Sequence, residues 1–345
     1  MSKNTTPRVV GLGDLLLSLA PAGYLRFIQA EQFGAFYTGA EANVCVSLAR
    51  LGLETDFLTR LPRNDIADAA VASLRKYGVG TANIAWGGDR IGILYLEKGA
   101  SQRASKVIYD RKHTAICEAN PADFDFDAVF EKADWFHFTG ITPALSDSMP
   151  AVCLAACQAA KRHGVTISCD LNFRSKLWTT EKAGQVMRQL LPYVDVLIAN
   201  EEDVEKVLGI RAGKSDVESG ELDRAGYVEV AKQLQAEFGI TRIATTLRKS
   251  ISASDNDWSA LLCVDGQPYF SREYHVHIVN RVGGGDSFSA GLIYALAQNY
   301  GPQDAIEFAA AASCLKHTIE NDFNLVSLDE IQALAAGGGN GRVQR

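Results

Sequence analysis

From Arg8 to Leu247, short apolar runs of strand character alternate with stretches of helical period, and few folds accept that alternation. Arg8–Gly13 reads as a strand, and Glu41–Leu51 as a helix carried by Val44, Leu48 and Leu51. Asp134–Gly140 is a strand, Met149–His163 a helix closed by Gly164, and Val165–Asp170 a strand. A helix near Thr180–Leu191 precedes the strand Val194–Asn200; Tyr227–Phe238 is helical, closed by Gly239, and Arg242–Leu247 is again a strand. This order predicts an α/β fold, a mainly parallel sheet with helices on both faces. Ligands of such sheets sit beyond the carboxyl ends of the strands. Polar residues gather at those ends here, at Thr139-Gly140, Asp170-Leu171-Asn172-Phe173-Arg174, Asn200-Glu201-Glu202-Asp203 and Thr245-Thr246.

Two segments break the rhythm. Tyr24–Tyr37 and Ile91–Arg111 carry alternating β-formers with no helix, and predict a small sheet standing off the main domain as a lid. The expected division assigns residues 8–17, 38–90 and 113–335 to the large domain and 18–37 and 91–112 to the lid, with a disordered tail at 336–345. Gly209–Gly226 reads as a polar surface excursion. A chain of 345 residues that is 47% hydrophobic can bury one large core plus such an appendage. Its net charge of −7 argues against a nucleic-acid partner. The seven cysteines are scattered, with no Cys-x-x-Cys pair, and read as reduced thiols of a cytoplasmic protein. Neither a run of about 18 apolar residues nor the apolar centre of a signal peptide is present, so no membrane is expected.

The chemistry concentrates at Val279-Asn280-Arg281-Val282-Gly283-Gly284-Gly285-Asp286. A glycine run leaves its backbone N–H groups uncovered, and the helix that follows through Phe288, Leu292, Ala295 and Leu296 adds unpaired donors and a positive dipole end. Such a place holds a phosphate or a developing anion. A carboxylate beside it has one economical task, general base toward a hydroxyl attacking phosphorus; the plainer alternative is that Asp286 only caps the helix.

Other motifs are softer. Val10-Gly11-Leu12-Gly13-Asp14 fails as a dinucleotide fingerprint because Leu16 occupies the third glycine position, which leaves a tight turn with Asp14 free for sugar hydroxyls. Gly39 and Ala40 allow close ligand approach, and Asn43 offers both a donor and an acceptor. Asn200-Glu201-Glu202-Asp203 suits a hard cation held through water, or a plain acidic helix start. Arg111 and Arg174 are forks for a carboxylate or phosphate. The six histidines show no metal-ligand spacing.

Taken in order, Gly39-Ala40-Glu41-Ala42-Asn43, Asn200-Glu201-Glu202-Asp203 and Gly283-Gly284-Gly285-Asp286 resemble the ribokinase-like (PfkB) carbohydrate kinases over Arg8 to Leu334. Tyr95, Tyr109-Asp110-Arg111, Gly140-Ile141-Thr142-Pro143-Ala144-Leu145-Ser146 and Asp170-Leu171-Asn172-Phe173-Arg174 are most similar to the 2-keto-3-deoxygluconate kinases within that family. The resemblance implies a β lid over a sugar and phosphoryl transfer from ATP with Mg2+. It implies a sugar-acid pocket of Asp14, Gly39, Ala40, Asn43, Tyr95, Tyr109, Arg111 and Arg174, with Asp286 as base and Gly283, Gly284 and Gly285 as anion hole. ATP would meet Asn200, Thr246, Arg248, Gly283, Gly285 and Ala312, and Mg2+ would be organised by Asn200 and Asp203 through water. Asn280 stands where the family usually has Asp, and the need for a monovalent cation is open, as is a homodimer packed through the lid. The alternatives are a kinase of a neutral sugar or nucleoside from the same family, or a sugar-binding sensor that has lost turnover.

Overall fold

The computed structural model describes residues 6–211 and 224–338. In chain order the strands are β1 (Arg8–Leu12), β2 (Leu16–Ala20), β3 (Gly34–Thr38), β4 (Glu54–Leu58), β5 (Arg60–Leu61), β6 (Ala85–Trp86), β7 (Gly92–Glu97) and β8 (Lys106–Asp110). They continue as β9 (Trp135–Thr139), β10 (Thr166–Asp170), β11 (Val196–Ala199), β12 (Arg242–Ser250), β13 (Asp255–Val264), β14 (Gln267–Phe270) and β15 (Tyr274–His277). The helices are α1 (Ala40–Arg50), α2 (Asp65–Lys76), α3 (Phe126–Phe130), α4 (Met149–Arg162), α5 (Thr180–Leu190) and α6 (Glu201–Leu208). After these come α7 (Arg224–Phe238), α8 (Gly284–Ala297), α9 (Pro302–Lys316) and α10 (Leu328–Ala335).

The main sheet runs β14-β13-β12-β11-β10-β9-β1-β4, parallel from β4 to β12 and antiparallel beyond, with β15 pairing β13. Its central strands are covered on both faces: β9, Trp-Phe-His-Phe-Thr, and β11, Val-Leu-Ile-Ala, are buried at every position, whereas the antiparallel edge strands β14 and β15 carry exposed residues. On one face α4 and α5 pack Val152, Ala156 and Met187 onto Phe136, Ile167 and Leu197. On the other, α1, α8 and α9 bring Val44, Phe288 and Phe308 onto Val9, Ile198 and Ala260. The expected doubly covered parallel sheet is therefore present.

The small sheet is β3-β2-β7-β8. Two features of it differ from the expectation. Its first strand is Leu16–Ala20, which leaves the main sheet after only Gly13, Asp14 and Leu15. Tyr24–Tyr37 is not strand throughout: Phe27–Gln29 forms a 3₁₀ turn, drawn in where the Phe27 N–H donates to Glu97 Oε2 at 2.8 Å. The tip between β7 and β8 touches the large domain. There the Ala253 N–H donates to the Ser101 carbonyl at 2.7 Å and the Ser101 N–H to Ser254 Oγ at 2.9 Å, and Lys98 pairs with Glu320. Most of the expected excursion at Gly209–Gly226, and the end of the expected tail, lie outside the described residues.

Glu41 joins α1 to the carboxyl end of β9. Its Oε1, 1% exposed as a residue, accepts from the Thr139 N–H and hydroxyl, both at 2.9 Å, and from the Thr142 hydroxyl at 2.5 Å. Replacing Glu41 by Ala leaves the Thr139 N–H and hydroxyl without an acceptor and the Thr142 hydroxyl with only the Leu12 carbonyl at 3.3 Å, and we expect a loss of about 3 kcal/mol in folding stability, read as a lower urea midpoint at unchanged slope.

Candidate active site

One cleft of about 980 Å³ lies between the lid and the carboxyl edge of the parallel strands. Its floor is the start of α8. Gly283 caps that helix at φ +82°, a conformation that disfavours side chains, and a Cβ there would stand 2.2 Å from the Asp322 carbonyl oxygen. Asn280 shapes the loop ahead of it by accepting from the Val282 N–H at 2.9 Å, so at this position an amide oxygen performs the turn. The Gly284 N–H turns back to Arg281 O at 3.3 Å, and the ladder begins with the Ser287 N–H on Gly283 O at 2.9 Å. The intervening donors of Gly285 and Asp286 are the unpaired ends every helix exposes. A Cβ on Gly285 would meet nothing within 4 Å, so this residue presents bare backbone to the cleft.

Asp286 is half-buried at the cleft base, and Asn43 Nδ2 donates to its Oδ2 at 2.6 Å. Burial raises its carboxyl to about 7, reinforced by Asp322 and Glu41 and opposed by the Asn43 bond and Arg174. Asn43 is thus committed to the carboxylate, while its Oδ1 lies 3.2 Å from the Thr38 hydroxyl, so its amide does not stand free for a sugar as expected. Near the lid, Arg111 is 7% exposed, with its guanidinium 4.2 Å over the Tyr109 ring and 3.9 Å from Asp14 Oδ2. Arg111 Nε and Asp14 Oδ2 are buried and make no hydrogen bond within the protein. Desolvation raises Asp14 to about 6 against the pull of Arg111. Gly39 and Ala40 line the same end; a Cβ on Gly39 would fall 2.0 Å from the Asp14 carbonyl oxygen, so only glycine lets these two chains cross.

Arg174 also lines the cleft, but its charge acts on Asp170, Asp203 and Asp286, whereas Arg111 faces Asp14. The two arginines therefore have different neighbours. Asn200 and Asp203 bond each other, Oδ1 accepting from the Asp203 N–H at 2.8 Å and Nδ2 donating to Asp203 Oδ2 at 2.9 Å, which caps α6. Desolvation lifts Asp203 to about 6. Among the described residues no three His, Cys, Asp or Glu side chains lie together as a metal cage. One or two carboxylates at a phosphate site still fit Mg2+, which takes most of its remaining ligands from phosphate and water. Thr246 and Arg248 line the cleft as expected.

Two expected residues do not reach it. Tyr95 points away: on β7 the alternate residues Leu94 and Leu96 face the cleft, and the Tyr95 ring meets Phe33 edge-on at 6.5 Å. Ala312 is buried where α9 packs on α8, its Cβ 3.0 Å from where one on Gly291 would sit, so it is no part of the cleft wall. Three cleft residues had no task assigned from the sequence. Asp170 closes β10, and burial with Asp203 and Asp286 raises it to about 8; it stands in a motif already singled out. Arg281, inside the glycine motif, is anchored by Ser252 O at 3.1 Å. Asp322 carries no local signal at all.

We expect Gly283→Ala to lower thermal stability, on the order of 1–3 kcal/mol from backbone strain alone. Gly285→Ala should leave the melting temperature unchanged while weakening the binding of inorganic phosphate, read by calorimetry, since its methyl group enters the cleft.

The chain matches the model of the "pfkB family carbohydrate kinase" over residues 9–322. It is 31% identical over 337 residues to a 2-dehydro-3-deoxygalactonokinase from Haloferax volcanii, covering 97% of this chain and 99% of that one. A 2-dehydro-3-deoxygluconokinase from Thermoproteus tenax is 28% identical over 91% of this chain and 89% of its own. The crystal structure of a 2-dehydro-3-deoxygluconokinase from Thermotoga maritima superposes with a TM-score of 0.93 at 49% identity, covering 97% of this chain and all of that one (100%).

Proposed function

The chain belongs to the pfkB family of carbohydrate kinases, and we propose that it transfers a phosphoryl group from ATP to a sugar acid, 2-keto-3-deoxygluconate, giving the 6-phosphate. The observation that carries the substrate class is Arg111, a guanidinium 7% exposed, with an unpartnered buried Nε at the lid end of the cleft. A buried cation with unused donors favours a ligand carboxylate, which a neutral sugar lacks. Asp14, beside it, has a carboxylate oxygen that accepts no hydrogen bond and suits sugar hydroxyls. The opposite end of the cleft favours phosphate through the start of α8, Arg248 and Arg281.

In this reading Asp286 takes the proton of the terminal hydroxyl as its oxygen attacks the γ-phosphorus, and Asn43 holds the carboxylate in line. The N–H groups of the Gly283–Gly285 segment hold the charge that develops on the transferring group. Asn200 and Asp203 would hold Mg2+ through water, and the ion would supply further charge neutralisation for the phosphates. The lid excludes water and so suppresses hydrolysis of ATP.

The test is ADP release across 2-keto-3-deoxygluconate, its galacto epimer, gluconate, fructose, ribose and adenosine. Turnover confined to the keto-deoxy acids is expected; preference for a neutral sugar would end the argument from Arg111. Arg111→Met should raise the KM for the acid about ten- to a hundredfold. Asp286→Asn should lower kcat by about 10²–10⁴ while sugar binding persists. Because Asp286 titrates near 7 and acts as the ionised base, wild-type kcat should fall as pH drops through about 7.

A further inference from the structure

Lys316 is fully buried at 0% exposure, at the end of α9 directly beneath the loop that caps α8. A Cβ on Gly283 would lie 3.2 Å from its Cε. Among the described residues it forms no direct ion pair, and its bond to Ile319 O is long at 3.4 Å. A buried ammonium with so little compensation is costly, and folds seldom keep one without a task. Its charged neighbours are Asp322, Asp286 and Glu320, with Lys98 beyond. Burial pulls it down to about 8, so it is still largely charged at neutral pH.

Asp322 is the second buried member. It is 1% exposed, and its Oδ1 has no partner. Its Oδ2 accepts from the Thr38 hydroxyl at 2.6 Å. The single Thr38 proton is committed to that bond, so Thr38 only packs against Asn43 Oδ1 at 3.2 Å, while Asn43 Nδ2 donates to Asp286. A row of neighbouring polar side chains thus runs from Lys316 and Asp322, past Thr38 and Asn43, to the carboxylate at the cleft floor.

We propose that Lys316 and Asp322 are positioning residues for phosphoryl transfer. The ammonium places positive charge under the anion-holding loop, and the carboxylate adds negative charge near Asp286 while holding Thr38 against Asn43, so that together they set the protonation and aim of Asp286. This deepens the kinase reading and rests on Asp286 being the base. The other groups acting on Asp286 are Glu41 and Asn43 from α1, Asp170 at the end of β10 and Arg174 just after it, while Asp203 from α6 acts on Asp170. None of these changes in the variants below.

The two members carry opposite charge, so removing each has an opposite sign. Lys316→Met withdraws a positive charge, raises the carboxyl of Asp286, and moves the acid limb of the single-turnover rate to higher pH. Asp322→Asn withdraws a negative charge and moves the same limb to lower pH. Shifts of about half a unit or more are expected, with about a tenfold lower rate for Lys316→Met on the plateau and sugar KM within about twofold of wild type. A merely structural role would lower the melting temperature and leave both limbs in place. Unmoved limbs, or limbs moving the same way, overturn the proposal. If Lys316→Met fails to fold, the isosteric Asp322→Asn decides alone, and a limb at the wild-type pH is then the overturning result. Asp286→Asn separates the two levels: wild-type turnover in that variant removes the base assignment itself, whereas its loss beside unmoved limbs removes only the roles of Lys316 and Asp322.

Discussion

A helix that starts inside a protein must do something with its first N–H groups. In α8 the solution is to leave them facing a cleft, with Gly283 and Gly285 keeping side chains out of the way. Everything around that helix start follows from the choice. The loop before it is shaped by Asn280, the space below it is filled by Lys316 and Asp322, and the one carboxylate in its first turn is restrained by Asn43. A site of this kind favours an anion before any substrate arrives.

Charge in the cleft is divided by location. Asp170, Asp203, Asp286 and Asp322 crowd the floor, and desolvation raises all four above ordinary carboxylates. Arg248 and Arg281 face the same space, and burial together with Arg248 lowers Arg281. Like charges held near one another in this way are poised for an ion of the opposite sign, and both signs are offered. That fits a bound polyphosphate with its metal better than it fits a neutral ligand.

The layout of the main sheet was legible because apolar period and glycine stops are local properties: Met149–His163 ending at Gly164 differs from the observed α4 by one residue at its end. The small second sheet was legible as a departure from that rhythm, but not in detail. A tertiary contact, Phe27 on Glu97, bends what local propensity would have left extended. Asp286 and the glycines before it were visible as a motif, and they do meet at the cleft floor. Asn43 was visible as a residue but not in its role, since its partner lies 243 positions away. Tyr95 shows the sharper limit: a shift of one position along a strand turns a side chain from the cleft to the opposite face. Lys316 and Asp322 carry no pattern, because what distinguishes them is burial alone.

The lid joins the large domain at crossings that also carry the ends of the cleft. Asp14 sits in the three-residue passage from β1 to β2, Gly39 follows β3, and Arg111 follows β8. The connections between the two sheets are therefore also part of the cleft wall. Asp14 and Arg111 stand 3.9 Å apart, so a molecule seated between them would touch two of those connections at once. At the other end of β7 the tip of the small sheet bears on Ser254, beside the loop that anchors Arg281. The small sheet is thus tied down at both ends by residues that border one cleft, and a change at any of them is felt by its seating as well as by the cleft.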